Sequence, residues 1–295
     1  MADSSQSVCA TCAGTGYLVE QVLGRAARAR RCDCQNACPR CGESGYVLVP
    51  SGTSSVAQVC SCRHLDQRIS LFNQVGIPAA VAKASFDTFR AWSPDHASAK
   101  AAAEDFARKF RGDRPTKGFL LYGRPGAGKS HLLCATLRYL ALETGIASRY
   151  VEFMLLLSDI KGGFVANRSH MEILRPLIQV PVLAIDELGK ERGTEWERSM
   201  LDELISRRFN AGLTTLFATN YFPHDREGTR DPEPPARMVR TRSAEFQRDA
   251  EHMTLAQRVG DRIFSRLNEM CAFVKLDPGH DFRKDMSGAG SFWNG

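Results

Sequence analysis

The segment Gly123-Arg124-Pro125-Gly126-Ala127-Gly128-Lys129-Ser130 constrains this chain more than any other. It satisfies GxxxxGK[ST], with an apolar run at 118–122 before it and a helix-forming stretch from Lys129 after it. Gly128 lets the backbone approach a phosphate without a Cβ in the way. Backbone N–H groups and the N-terminus of the following helix supply positive potential. The pattern assigns Lys129 to the β- and γ-phosphates of ATP and the Ser130 hydroxyl to Mg²⁺.

From residue 117 onward, apolar runs at 118–122, 147–153, 182–185, 214–218 and 272–276 read as strands. Helical stretches at 129–143, 195–211 and 254–270, with helical material up to 179, separate them. Continuous apolar strands spaced by helices imply a parallel sheet covered on both faces. Upstream, 63–85 reads as a helical connector. Ser93-Pro94 starts a further helix to about residue 110, with Ser as N-cap and Pro at N1. Residues 223–253 are polar and rich in Pro and Arg, a loop-rich insertion.

Two of these strands end in groups suited to phosphate chemistry. Val182-Leu-Ala-Ile185 runs into Asp186-Glu187, which puts two carboxylates at the C-terminal edge of the sheet, where ligands bind in such folds. Asp186 is expected in the Mg²⁺ shell, and Glu187 is expected to orient and polarise the attacking water. The strand ending at Ala218 continues into Thr219-Asn220, and Asn220 can hydrogen-bond that water or the γ-phosphate.

Eight of the ten cysteines lie in a tandem repeat. Cys9-x-x-Cys12-x-x-x-Gly16-Tyr17 recurs as Cys38-x-x-Cys41-x-x-x-Gly45-Tyr46. Cys32-x-Cys34 recurs as Cys60-x-Cys62, one residue closer. Each unit reads as two knuckles joined by a short hairpin, with strands starting at Tyr17 and Tyr46. Four thiolates close one tetrahedral Zn²⁺ site, so two zinc ions per chain are expected in structural roles. The sequential assignment pairs Cys9, Cys12, Cys32 and Cys34, then Cys38, Cys41, Cys60 and Cys62. A nested pairing of outer and inner motifs is the alternative.

Composition narrows the class. Hydrophobic residues at 43% and charged residues at 24% are those of a globular protein. No apolar run approaches the ~18 residues of a membrane span. Met1-Ala-Asp-Ser-Ser shows no export signal, so a cytoplasmic location with reduced thiols is expected and no membrane partner. The net charge of +6 is compatible with nucleic acid without requiring it.

At Phe86-Asp-Thr-Phe89, Leu121 to Leu133, Ala184-Ile-Asp-Glu-Leu-Gly189, Ala218-Thr-Asn220 and Asp261-Arg-Ile-Phe-Ser-Arg-Leu267, the chain resembles the AAA+ ATPases. Within them it resembles the bacterial replicative helicase loaders and the ATPase helpers of insertion-sequence transposition. His131 and Asp-Glu-Leu-Gly189 point to that group. The first cysteine unit partly resembles the zinc knuckle of DnaJ-type chaperones. The resemblance implies an α/β fold: a P-loop AAA+ parallel sheet flanked by helices, preceded by a small tandem zinc-binding β-hairpin domain. Its divisions are 1–65 for the zinc module, 66–84 for the connector, 85–285 for the ATPase domain and 286–295 for a flexible tail. It implies Arg266 as an arginine finger for a neighbouring subunit's ATP, with Arg262 as rival, and Arg283 as a nucleotide-sensing arginine. His131 joins the nucleotide-binding set by its place after Ser130.

The function so implied is an ATPase acting in DNA replication as a helicase-loader-like factor. It would form homo-oligomers on ATP binding, hold single-stranded DNA and dock a replicative helicase through its zinc module. A transposition helper acting with a transposase, and a chaperone-like protein remodeller, are the alternatives. Residues 161–170, with Lys161, Phe164, Arg168 and His170, are a candidate single-stranded DNA contact. Arg237, Arg240 and Arg242 form a second basic cluster that suits DNA or a partner.

Overall fold

The computed structural model describes residues 9–35, 38, 41–42, 44–51, 54–190, 193–224 and 253–276. Two antiparallel hairpins come first. β1 (Tyr17–Glu20) pairs with β2 (Arg28–Arg31), and β3 (Tyr46–Ser51) with β4 (Ser54–Val59). Helix α1 (Ser61–Val75) starts inside the cysteine region, one residue before Cys62, and ends at Gly76 in the left-handed conformation. α2 (Pro94–Lys109) follows, with the Ser93 side chain accepting from the His96 N–H, as Ser-Pro at a helix start dictates.

The remaining elements alternate: β5 (Gly118–Tyr122), α3 (Lys129–Tyr139), β6 (Ser148–Glu152), α4 (Phe153–Val165), α5 (His170–Gln179), β7 (Val182–Asp186), α6 (Glu195–Asn210), β8 (Thr214–Thr219), α7 (Leu255–Val259), α8 (Asp261–Met270) and β9 (Cys271–Lys275). The five strands are all parallel, in the order β6-β7-β8-β5-β9. That order sets β8 between β5, which leads into the phosphate loop, and β7, which ends in the acidic pair.

Each strand feeds two cores. In β7, Val182 and Ala184 join the cluster under α1, α2 and α3, while Leu183 and Ile185 join the cluster under α4 to α8. This is the alternation expected of a sheet covered on both sides. A buried arginine locks one end of it. Arg208 of α6 is fully enclosed and donates to the carbonyls of Leu177, Val180 and Thr214 and to the Thr215 hydroxyl. It thereby ties the end of α5 to the starts of β7 and β8.

Two helix expectations change. The stretch 254–270 is not one helix: Gly260, at φ +84°, separates α7 from α8. The helix from Lys129 is regular only to Tyr139, and a wider π-type turn, Leu140–Thr144, carries it to Gly145.

The two hairpins differ in their surroundings. Tyr17, Ala27 and Ala29 of the first are buried in the same core as Phe72, Leu133 and Leu140. The Tyr17 hydroxyl donates to Glu143 at 2.7 Å, the Ala27 N–H to the Ile77 carbonyl at 2.8 Å, and Asn73 bonds both backbone groups of Ala29. In the second hairpin, every described residue of β4 is exposed, and Leu48 and Val56 are 73% and 55% accessible.

Candidate nucleotide and metal sites

The phosphate loop joins β5 to α3 and is supported from below. Gly128 has φ +90°, and a Cβ there would lie 2.8 Å from the Phe89 ring, so both its conformation and its contact require glycine. His96, buried in α2, holds the loop's carbonyl side. Its Nε2–H donates to the Ala127 carbonyl at 3.2 Å, so Nδ1, 3.0 Å from the Ser93 hydroxyl, accepts. Lys129 is buried and donates to the carbonyls of Gly123 and Arg124, both at 2.8 Å, so the loop closes around its own cation. Ser130 follows it at the first turn of α3.

His131 faces away from the loop's carbonyl ring. Its Nε2–H donates to the Ser85 carbonyl at 3.0 Å, with the Thr88 hydroxyl at 3.2 Å, and its ring meets Phe89 edge to face. Burial pulls its pKa below the ordinary value of 6.5. His131 therefore fastens residues 85–89 to α3. Phe89 in that segment underlies Gly128, which gives the Phe-Asp-Thr-Phe motif a mechanical role.

Asp186 ends β7 and is buried. Both of its oxygens are held: Oδ1 accepts from the Glu187 N–H and Oδ2 from the Tyr150 hydroxyl, each at 2.8 Å. Burial, and next the Asp186 charge, push the Tyr150 phenol far above its usual range, so it stays a donor. Glu187 adopts φ +57°, an uncommon conformation for a non-glycine residue. Its carboxylate pairs with Lys190 at 2.7 Å. The bend is fixed by the Leu188 N–H on the Ala218 carbonyl, the Thr219 hydroxyl on the Leu188 carbonyl, and Arg258 on the Gly189 carbonyl. Asn220 lies exposed just beyond β8, between the loop and acid strands.

Sequence reasoning missed Tyr150, Glu152, His96 and Lys190. Glu152 pairs in register with Asp186, and burial together with the Glu187 and Asp186 charges raises its pKa. It is a third carboxylate at this edge. Its signal was legible: β6 also ends in an acid, and Tyr150 stands two residues before it on the same face.

The expected finger residue is engaged within the chain. Arg266 of α8 pairs with Asp202 of α6 at 2.9 Å and its side chain is 19% exposed. Arg262 lies 3.5 Å from the same carboxylate and is 72% exposed. Arg237, Arg240, Arg242 and Arg283 lie outside the described residues. The stretch 161–170 is more structured than a glycine-bearing loop: Gly162 and Gly163 are inside α4, and Ser169 caps α5. Lys161 sits over the Trp196 ring at 4.8 Å and Phe164 meets that ring edge to face. Arg168 pairs with Glu172, and His170 lies 3.3 Å from Glu203.

The cysteines assemble sequentially. Cys9, Cys12, Cys32 and Cys34 form one group, and Cys38, Cys41, Cys60 and Cys62 the other, with all ligand atoms in each group within 4.8 Å of one another. The nested pairing is thereby excluded. Sulfur–sulfur distances of 3.9 and 3.5 Å in the first group, and 3.7 and 3.4 Å in the second, are far too long for disulfides. They bracket the ~3.8 Å edge of a tetrahedron with ~2.3 Å zinc–sulfur bonds. Backbone hydrogen bonds from Cys12 and Thr11 pull the Cys9 thiol down to about 6, and one from Cys62 helps bring Cys60 to about 6. The donor set and its spacing fit Zn²⁺. The oxygens of Ser130 and Asp186 suit Mg²⁺, which would supply charge neutralisation to bound phosphate.

A phosphate loop on the first strand of a parallel sheet, with an acidic strand end one strand removed, defines a P-loop nucleotide-binding domain of AAA+ type. Residues 100–231 match the model of the family described as IstB-like ATP binding protein. The replicative helicase loader DnaC of Buchnera aphidicola subsp. Baizongia pistaciae is 28% identical over 152 residues, 51% of this chain and 61% of that one. The replicative helicase loader DnaI of Bacillus subtilis is 27% identical over 185 residues, 60% and 59% of the two chains. A crystal structure of the DnaC helicase loader superposes with a TM-score of 0.53 at 25% identity, covering 67% of this chain and 98% of that one. Residues 100–231 are thus similar to the IstB-like ATP binding proteins, and the chain is similar to the DnaC and DnaI helicase loaders over half to three fifths of its length. It spans about three fifths of the length of the curated relatives it matches.

Proposed function

We propose that this chain is an ATP-dependent DNA replication factor of the helicase-loader kind. It hydrolyses ATP to ADP and phosphate, assembles into oligomers on binding ATP, holds single-stranded DNA, and docks a replicative helicase through its zinc hairpins. The observation that carries this reading is the division of labour between the two cysteine units. The first is built into the core at the far end of the helix that starts at Lys129, where Tyr17 bonds Glu143, while the second projects an exposed strand pair with Leu48 and Val56 uncovered. Such an arrangement suits a module that grips a protein partner while staying rigidly joined to the ATPase.

In the nucleotide site, Lys129 exchanges its two loop carbonyls for β- and γ-phosphate oxygens. Ser130 and Asp186 would hold Mg²⁺ and so neutralise phosphate charge, Glu187 would leave Lys190 to orient water, and Asn220 would fix that water or the γ-phosphate. Gly123, Arg124, Pro125, Gly126, Ala127 and Gly128 cradle the phosphates. Arg266 completes a neighbour's site once it releases Asp202, with Arg262 the more exposed rival. Arg283 senses nucleotide from its own chain. Single-stranded DNA runs past Lys161, Phe164 and Trp196, where charge and aromatic faces coincide. Action on DNA places the chain in the cytoplasm. Among the described residues no helix is long and apolar enough to cross a membrane.

The match to the IstB-like family model favours one second reading, a transposition helper acting with a transposase. The test of the first reading is the ATPase rate of the full chain with single-stranded DNA, duplex DNA or an unfolded polypeptide. Stimulation by single-stranded DNA is expected. Stimulation by polypeptide alone would replace the proposal with a protein remodeller, and preference for duplex DNA would favour the transposition helper.

A further inference from the structure

We propose that Tyr150 is a positioning residue for Asp186, fixing that carboxylate in the orientation that receives magnesium-bound nucleotide. The inference rests on the reading of Asp186 as a magnesium-site residue. Tyr150 stands in β6, an edge strand three positions from β5 and its phosphate loop, and no phosphate-binding pattern includes it. Its hydroxyl nevertheless reaches Asp186 Oδ2 at 2.8 Å in a buried setting. The opposite oxygen, Oδ1, is held at the same distance by the Glu187 N–H.

A carboxylate at the end of a strand can rotate about its last bond, and a single donor leaves that rotation open. Two donors, one on each oxygen, one from β6 and one from the turn after β7, fix the plane. The strand register makes the second donor possible. β6 and β7 pair in parallel with Tyr150 opposite Ala184 and Glu152 opposite Asp186. The tyrosine therefore starts two residues behind its target, and its long side chain spans the offset that a serine or threonine would not. Asp186 is thus pre-set, and no reorganisation is needed when nucleotide arrives.

Tyr150→Phe keeps the ring and removes only the donor. The experiment titrates Mg²⁺ against binding of a fluorescent ATP analogue to the full chain, with a parallel titration in EDTA. The variant is expected to need about tenfold more Mg²⁺ for half-saturation, the effect of losing one hydrogen bond to a charged group. Its affinity in EDTA should match the wild type. In an Asp186→Asn background, Tyr150→Phe should produce no further shift, which a general loss of packing would not mimic. An unchanged Mg²⁺ midpoint in a folded Tyr150→Phe protein overturns the proposal. If wild-type binding does not depend on Mg²⁺, the reading of Asp186 itself fails instead. Should Tyr150→Phe fail to fold, ¹⁹F spectra of the 3-fluorotyrosine-labelled chain decide. One resonance, absent from Tyr150→Trp, should move with Mg²⁺–nucleotide and not with nucleotide alone; no such resonance overturns the proposal.

Discussion

Removing one cysteine from each four-cysteine cluster should have unequal consequences for the nucleotide-binding domain. Cys12→Ser opens the first site, whose hairpin buries Tyr17, Ala27 and Ala29 in the main core and adds the Tyr17–Glu143 and Ala27–Ile77 hydrogen bonds. Burying a side chain of that size contributes ~2 kcal/mol, and each hydrogen bond ~1 kcal/mol. Loosening the hairpin should therefore cost the domain ~4 kcal/mol, or a fall of ~10 °C in melting temperature for a domain of this size. Cys41→Ser opens the second site, whose strands contribute no residue to either core cluster. It should shift the melting temperature by no more than ~2 °C. The assay is thermal unfolding followed by fluorescence of an ATP analogue, which reports the nucleotide domain and not the hairpins. Equal shifts from the two substitutions, or no shift from Cys12→Ser, would refute the argument that only the first unit is built into the ATPase.

Three further outcomes follow from the site. Lys129→Ala should lose ATP binding measured by equilibrium titration, whereas Glu187→Gln should bind ATP normally, hydrolyse it at least ~100-fold more slowly and hold oligomers together. Arg266→Ala should bind ATP but not hydrolyse it, and mixing it with Lys129→Ala should restore part of the rate because one mixed interface is intact; the same behaviour in Arg262→Ala instead would move the finger by one turn. His131 has its pKa lowered by burial, so below 6.5 the unfolded chain takes up a proton that the native chain resists, and stability should fall as pH drops from 6.5 towards the lower native value. Denaturant titrations at pH 7 and 5.5 should show a smaller loss in His131→Gln than in the wild type.

The sheet was legible because its strands are continuous apolar runs that can be buried only on both faces. The phosphate loop was legible because its glycines and lysine stand in one unbroken segment. The cysteine repeat was legible as two four-cysteine units, but the choice between sequential and nested pairing was settled only by the folded geometry. What escaped the sequence was assembled from distant segments. His96 meets Ala127 across a helix packing, Tyr150 meets Asp186 across a strand pair, and Arg208 gathers carbonyls from α5, the turn after it and β8. None of these residues carries a local pattern. The break at Gly260 was missed for another reason: capped at Thr254, the stretch keeps its apolar spacing across a glycine whose positive φ only the folded backbone reveals. The asymmetry of the two hairpins was also hidden, because near-identical cysteine spacing says nothing about which unit lies against the core.

On the proposed function, the exposed second cysteine hairpin carries a replicative helicase to an ATP-driven assembly on DNA. The most direct measurement is sedimentation of the full chain, as Glu187→Gln with ATP and single-stranded DNA, mixed with a purified hexameric replicative helicase or with an integrase-type transposase. A stable complex with the helicase is expected, lost in Cys41→Ser while ATP binding persists. A complex with the transposase only, or a helicase complex indifferent to Cys41→Ser, would contradict it.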